Sequence, residues 1–322
     1  MKGNVSLKQL AIKVLEGYEI QYEEAIALSM IEDIDALLGW ANTIREKYNG
    51  KKVDLCSIMN AKSGKCTEDC KFCAQSAHYK TDAPVFSLIN EDEILKRAKE
   101  NEANGVHRFS LVTSGKRIRD KDLDQILNTY KTLKEKTRLE LCASFGLLTY
   151  QQALKIKKAG ILTYHHNLET SKNYFQKICT THTYEDRINT IKNALKAGLD
   201  VCCGGIFGIG ELMEDRIQMV FEIKKLGIQS IPINILMPIN GTPLEKQPPL
   251  DTMEILKTIG IIRFIMPSGV IRYGGGRKIL QEHQKTGWHS GVNGALVGNY
   301  LTTIGNTIAE DIKMIKEQGL EV

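Results

Sequence analysis

No run of about 18 apolar residues, the length a membrane-crossing helix needs, occurs in the 322-residue sequence. Its opening stretch, MKGNVSLKQLAIKVLEGYEI, lacks the apolar segment and small-residue cleavage site of a secretory signal. A soluble cytoplasmic protein, away from membranes, is therefore expected. Pro/Ser-rich linkers and low-complexity tracts are also missing, which favours a single domain over residues 1–322. Charge of one sign is not concentrated anywhere. The net charge is only +5, and basic residues alternate with acids on helical stretches, as in Glu93, Lys96, Arg97, Lys99 and Glu100. Such interleaving describes solvated helix faces and gives nucleic-acid binding no specific support.

Apolar residues make up 42% of the chain and charged residues 25%, a balance that allows a large buried core. Residues 1–50 carry helical spacing (Leu7, Leu10, Val14, then Ala25, Leu28, Ile31, Leu38), so an N-terminal helical segment is expected to pack on the rest. Beyond it, apolar or β-branched runs begin near Val53, Val106, Leu139, Ile161, Val201, Ile231, Val270 and Ala295, with amphipathic stretches between most of them. Helix starts are predicted at Asn90, Thr183 and Asn306, and helix stops at Gly105, Gly160, Gly198, Gly227 and Gly319. Eight strands alternating with helices imply an α/β fold of the TIM-type (β/α)8 barrel kind, with a doubly wound open sheet as the alternative.

Eight cysteines in a cytoplasmic chain point to metals or buried thiols more than to disulfides. Cys66, Cys70 and Cys73 lie within one loop after the first predicted strand, at the end of a barrel where active sites are built. Three thiolates on a four-iron cube leave one iron open to a small molecule. The alternatives are a zinc site completed by His78 and a set of buried thiols; a structural zinc normally presents paired, short-spaced cysteines. Downstream, Gly204-Gly205-Ile-Phe-Gly208-Ile-Gly210-Glu211 sits where a strand passes to a helix, and taken alone it fits a tight turn, close packing or a nucleotide site.

Strand alternation places His165, Asn167 and Glu169 on one face of the fourth strand, and Glu140, Cys142 and Ser144 on one face of the third. Asn234 is opposite in parity to its neighbours Ile233 and Ile235. Polar groups aimed into a barrel core are costly unless they meet ligands or each other, so their recurrence predicts a site. Cys56 and Cys179 read as small buried hydrophobes, and His107, His182, His283 and His289 as unremarkable histidines without a metal or nucleophile partner.

Read together, the Cys66–Cys73 spacing and the segments Cys73-Ala-Gln-Ser76, Asn167-Leu-Glu-Thr-Ser171, Thr180–Arg187, Gly241-Thr-Pro-Leu244 and Asn299-Tyr-Leu-Thr-Thr303 resemble, in order, the biotin synthase family of radical S-adenosylmethionine (SAM) enzymes. The resemblance spans about residues 45–320. It implies a homodimer with dethiobiotin as substrate, a low-potential flavodoxin or ferredoxin as electron donor, a 4Fe-4S cluster on Cys66, Cys70 and Cys73 that cleaves SAM, and a second, auxiliary iron-sulfur cluster whose sulfide enters the product. Asn167 and Glu169 are then expected near the SAM ribose, Arg187 at the SAM carboxylate, Phe72, His165, Gly204 and Gly205 around bound SAM, and Asn234 at the ureido ring of dethiobiotin.

This sequence departs from the family pattern at two places. It reads His165-His166-Asn167-Leu168-Glu169 where Asn-His-Asn-Leu-Asp is commoner, and Ser110 stands where an auxiliary-cluster cysteine is expected. Resemblance puts the other auxiliary ligands at Cys142, Cys202 and Arg272. Cys203 is the expected replacement for the missing thiol, if a bulge at Gly204-Gly205 turns it inward, and the cluster is either a 2Fe-2S form or one of different nuclearity. The nearest rival is a hydrogenase-maturase-like or methylornithine-synthase-like radical SAM enzyme, against which Cys142 and Cys202 argue. A zinc-stabilised binding protein is the rival without catalysis.

Overall fold

The computed structural model describes residues 6–301 and 305–322. Nine parallel strand segments, β1 (Asp54–Lys62), β2 (Arg108–Thr113), β3 (Glu140–Ser144), β4 (Thr163–His165), β5 (Asp200–Cys202), β6 (Gly205–Phe207), β7 (Ser230–Ile235), β8 (Val270–Tyr273) and β9 (Gly294–Leu296), form eight staves. β5 and β6 are one stave broken at Cys203-Gly204: the first half pairs with β4 and the second with β7. The pairing of Cys202 with Ser230 and of β1 with β9 closes the ring, which decides for a barrel over an open sheet. Thr302 and Thr303, part of one of the resembling segments, lie outside the described residues.

Every predicted strand is present within a few residues of its expected start. The helix punctuation follows the same local chemistry. Asn90 and Thr183 accept hydrogen bonds from the backbone amides of Glu93 and Asp186, while the last start falls one residue later than predicted, on Thr307. All five stop glycines have φ between 70° and 93°, the left-handed geometry that ends a helix without a Cβ penalty.

Three helices, Leu7–Leu15, Tyr22–Ser29 and Ile34–Asn49, precede β1. The helix Thr252–Ile265 runs between the barrel wall and the Ile34–Asn49 helix, and so is apolar nearly all round: Ile255, Leu256, Ile259, Ile261, Ile262 and Phe264 are fully buried. No helix among the described residues is long and apolar enough to cross a membrane.

Parity inside the barrel is regular. Asp54, Cys56 and Ile58 of β1, Arg108, Ser110 and Val112 of β2, Cys142 and Ser144 of β3, His165 of β4, Ser230, Pro232 and Asn234 of β7, and Arg272 of β8 line one cavity of 620 Å³. Residues of opposite parity, such as Leu55, Phe109, Leu111, Tyr164 and Ile233, pack outward against the helices.

Candidate active site

The cavity has two chemically different ends. At its mouth, the loop after β1 carries Cys66, Cys70 and Cys73, and Phe72 and Cys73 reach the cavity wall. The loop is tied to residues 178–182: Lys71 N–H donates to Ile178 O (2.9 Å), and the Asp69 carboxylate accepts from the amides of Thr180 (2.8 Å) and Thr181 (3.2 Å). Those hydrogen bonds outweigh partial burial and hold the Asp69 carboxyl well below its usual range. Behind the loop, Gly241 (φ 82°) lets the backbone press on the Lys80 carbonyl, where a Cβ would overlap it.

Burial pushes the Cys73 thiol up to about 11, as expected for a thiol whose anionic form lacks a compensating cation. Cys70 is turned towards Cys179, with 3.7 Å between the sulfurs, and Cys179 lies 3.2 Å from His182 Nδ1. Cys70, Cys179 and His182 bring their ligand atoms within 4.8 Å of one another. Cys179 is buried, as expected, but has polar partners as well, and the expectation of an unpartnered His182 is corrected: His182 joins the Glu68 carboxylate (2.6 Å) to the Arg187 Nε (3.1 Å). His78, by contrast, is bonded to the Thr67 carbonyl.

Arg187 continues this buried chain, donating through Nη1 to Asn167 O (2.8 Å) and to the Glu169 carboxylate (3.3 Å). Asn167 donates to Glu169 (3.2 Å) and accepts from Gly204 N–H (3.1 Å). Asn167, Glu169 and Arg187 therefore form one unit, with Asn167 and Glu169 on the cavity wall. Glu169 has φ 71°, an uncommon conformation for a residue with a side chain, fixed by its parallel bridge to Gly205. The two glycines are needed because of crowding: a Cβ at Gly204 would overlap the Pro232 carbonyl, and one at Gly205 the Glu169 carbonyl.

Asn234 lines the cavity between the two ends. Its amide donates to Gly205 O (3.1 Å) and accepts from Gly275 N–H (2.9 Å), leaving one N–H and one lone pair for another partner.

The floor is built from thiols and guanidinium groups. Cys56, Cys142 and Cys202 all line it, together with Arg108, Arg272 and His165. Cys56 and Cys142 share this floor, and their mutual influence raises the first thiol and lowers the second. Burial opposes ionisation of Cys202, but a hydrogen bond from His165 and the charge of Arg272 bring its thiol below the ordinary value. Asp54 fixes both guanidinium groups, accepting from Arg272 Nη1 (2.9 Å) and Arg108 Nε (2.8 Å). His165 pairs in register with Cys202 on the neighbouring stave and lines the cavity with it.

Cys203 is not brought to the floor. It is fully buried behind the wall, its N–H donating to Ser230 O (2.9 Å), so the barrel ladder continues through the stave break and the alternation of Cys202 inward and Cys203 outward is kept. The expected inward bulge is thereby corrected. Cys56, expected to be a packing thiol, occupies the cavity instead. Alternation along β1 carried that signal, since Asp54, Cys56 and Ile58 share a face.

Residues 61–223 match the model of the Radical SAM superfamily and residues 232–321 that of the Biotin and Thiamin Synthesis associated domain. A biotin synthase of Acetivibrio thermocellus is 55% identical over 96% of this chain and 97% of its own length, and one of Clostridioides difficile 56% identical over 98% of each. The chain belongs to the biotin synthase family.

Solved structures share the fold at much lower identity. Methylornithine synthase (PylB) superposes with a TM-score of 0.83 at 22% identity, covering 97% of this chain and 96% of its own. The hydrogenase maturase HydG gives 0.84 at 18% identity, over 98% of this chain and 75% of its own. Both rival activities named from the sequence thus use this barrel, and the biotin synthase relatives separate this chain from them. Family membership implies a 4Fe-4S cluster and SAM, and the mouth fits them: three loop thiols, soft ligands of the kind such clusters take, adjoin a buried Arg187–Glu169–Asn167 unit able to meet charged and hydroxyl groups.

Proposed function

We propose that the chain inserts sulfur into dethiobiotin to form biotin, as a sulfurtransferase of the radical SAM type. One observation carries this reading: a single cavity has cysteines at both ends, the Cys73 side at the mouth and Cys56, Cys142 and Cys202 at the floor, with Asn234 between. When bound, the mouth cluster with SAM would supply a 5′-deoxyadenosyl radical for hydrogen abstraction from unactivated carbon, and the floor cluster the sulfur.

The residues divide this work. Cys66, Cys70 and Cys73 would hold the mouth cluster. Arg187 would meet the SAM carboxylate and Asn167 and Glu169 its ribose hydroxyls, while Phe72 and the close backbone at Gly204-Gly205 shape the surrounding wall. The free N–H and lone pair of Asn234 suit a urea-type ring, which both donates and accepts. Cys142 and Cys202 would hold the auxiliary cluster, and Arg272, buried on the same cavity floor as Cys56 and Cys202, would offset its negative charge or ligate it. The apolar wall elsewhere excludes water and competing hydrogen donors.

Family resemblance also suggests a cytoplasmic homodimer receiving low-potential electrons from a flavodoxin or ferredoxin, without nucleic-acid or membrane partners. The test is anaerobic incubation with SAM, a low-potential reductant and dethiobiotin deuterated at its methyl carbon. Deuterium should appear in 5′-deoxyadenosine. SAM cleavage without deuterium transfer would contradict dethiobiotin as the substrate.

A further inference from the structure

Ser110 leaves the barrel floor one thiol short of the family pattern, and the floor itself shows where another lies. Ser110 is 3% exposed, lines the cavity, and its hydroxyl finds no hydrogen-bond partner among the described residues. It sits opposite Cys142 on β3 and opposite Ile58 on β1. Two residues before Ile58, on the same inward row of β1, is Cys56.

We propose that Cys56 supplies the third thiolate of the auxiliary cluster, so that Cys56, Cys142 and Cys202 bind it from three separate staves. This rests on the two-cluster reading above.

Three features of the floor support the assignment. First, Cys56, Cys142 and Cys202 all line the cavity, whereas Cys203 is buried outside its lining. A ligand set must share one space, and among the barrel-strand thiols of the described residues only these three do. Second, cationic groups face the thiols. Arg272 and Arg108 both line the floor, Arg272 held by Asp54 and Arg108 by Asp54 and Glu140, and His165 pairs in register with Cys202. Third, Ser110 is a poor candidate for iron, because a hydroxyl ionises only at high pH and its hard oxygen binds iron weakly beside thiolate.

The assignment also bears on cluster geometry. Ligands drawn from β1, β3 and β5, with Ser110 left out, surround a different centre from a set that includes β2. The auxiliary cluster in this chain should therefore lie nearer β1 than a set using position 110 would place it.

The test is iron and sulfide content of the full chain, reconstituted anaerobically, with Mössbauer spectra to separate the two sites. Wild-type protein should hold more iron than one four-iron cluster. Cys56→Ala should lose the auxiliary signal while keeping that of the Cys66–Cys73 cluster, which shows that the barrel has folded. Ser110→Ala and Cys203→Ala should match wild type. The double variant Cys56→Ala/Ser110→Cys should regain auxiliary iron, since a thiol returns to the floor beside Cys142. Full auxiliary iron in Cys56→Ala, or its loss in Cys203→Ala with Cys56 dispensable, would overturn the assignment alone. Wild-type protein holding only a single four-iron cluster would overturn the two-cluster reading, and the assignment with it.

Discussion

Removing any one of Cys66, Cys70 and Cys73 should abolish reductive cleavage of SAM, because a cube held by two protein thiolates does not keep its open iron in place. Chromatographic measurement of 5′-deoxyadenosine from each alanine variant checks this, and wild-type yield from Cys70→Ala would refute it. Cys179 is the instructive control. It lies 3.7 Å from Cys70 but belongs to the 178–182 segment rather than to the Cys66–Cys73 loop, so it is not expected to restore cleavage to Cys70→Ala. Asn234→Ala should weaken dethiobiotin binding by about 1–3 kcal/mol, the cost of losing a paired polar contact. Calorimetric titration checks it, with unchanged affinity as the contrary result. The structure adds a consequence invisible in sequence: the same amide joins Gly205 to Gly275, so the variant should also unfold at a lower temperature.

Elements meet at the cavity through close backbone contacts that are not interchangeable. Gly204→Ala should cost at least about 3 kcal/mol, because its Cβ would overlap a carbonyl of a neighbouring stave that cannot rotate away. Gly227→Ala has open space around the new methyl and a φ of 76°, so it should cost about 1 kcal/mol. Chemical denaturation of the two variants separates them, and equal losses would contradict the steric account. The floor links β1, β2 and β8 through Asp54. Burial alone would raise its carboxyl, but Arg272 and Arg108 outweigh this and hold it below the usual range. A depressed folded value means that its contribution to stability is complete above about pH 4 and is lost as pH falls through the folded value. Asp54→Asn should therefore be less stable than wild type by about 3 kcal/mol near neutrality, with the gap closing below about pH 4. A gap that persists unchanged at lower pH would show that the carboxylate charge is not the cause.

At the scale of the whole molecule, the barrel was legible because each strand and helix carries its own local signal: β-branched runs, capping side chains, and five glycines in left-handed geometry. Inward parity was legible as well, since it needs only alternation. What alternation could not show is which inward residues share a level of the barrel, because that depends on register between strands distant in sequence. Cys56 and Cys142 are 86 residues apart and line the same cavity floor, and nothing local to either announces the other. Cys203 was misplaced for a related reason: a break at glycine is visible in sequence, but the hydrogen bond to Ser230 that preserves alternation across it is not. His182 likewise gains its role from Glu68, which arrives from a loop over a hundred residues earlier. The most direct test of the account as a whole is a single anaerobic turnover with dethiobiotin, SAM and a low-potential reductant, using protein whose clusters were assembled with ³⁴S-sulfide. Biotin carrying ³⁴S is the expected product; dethiobiotin recovered unchanged despite SAM cleavage, or biotin without the label, would contradict it.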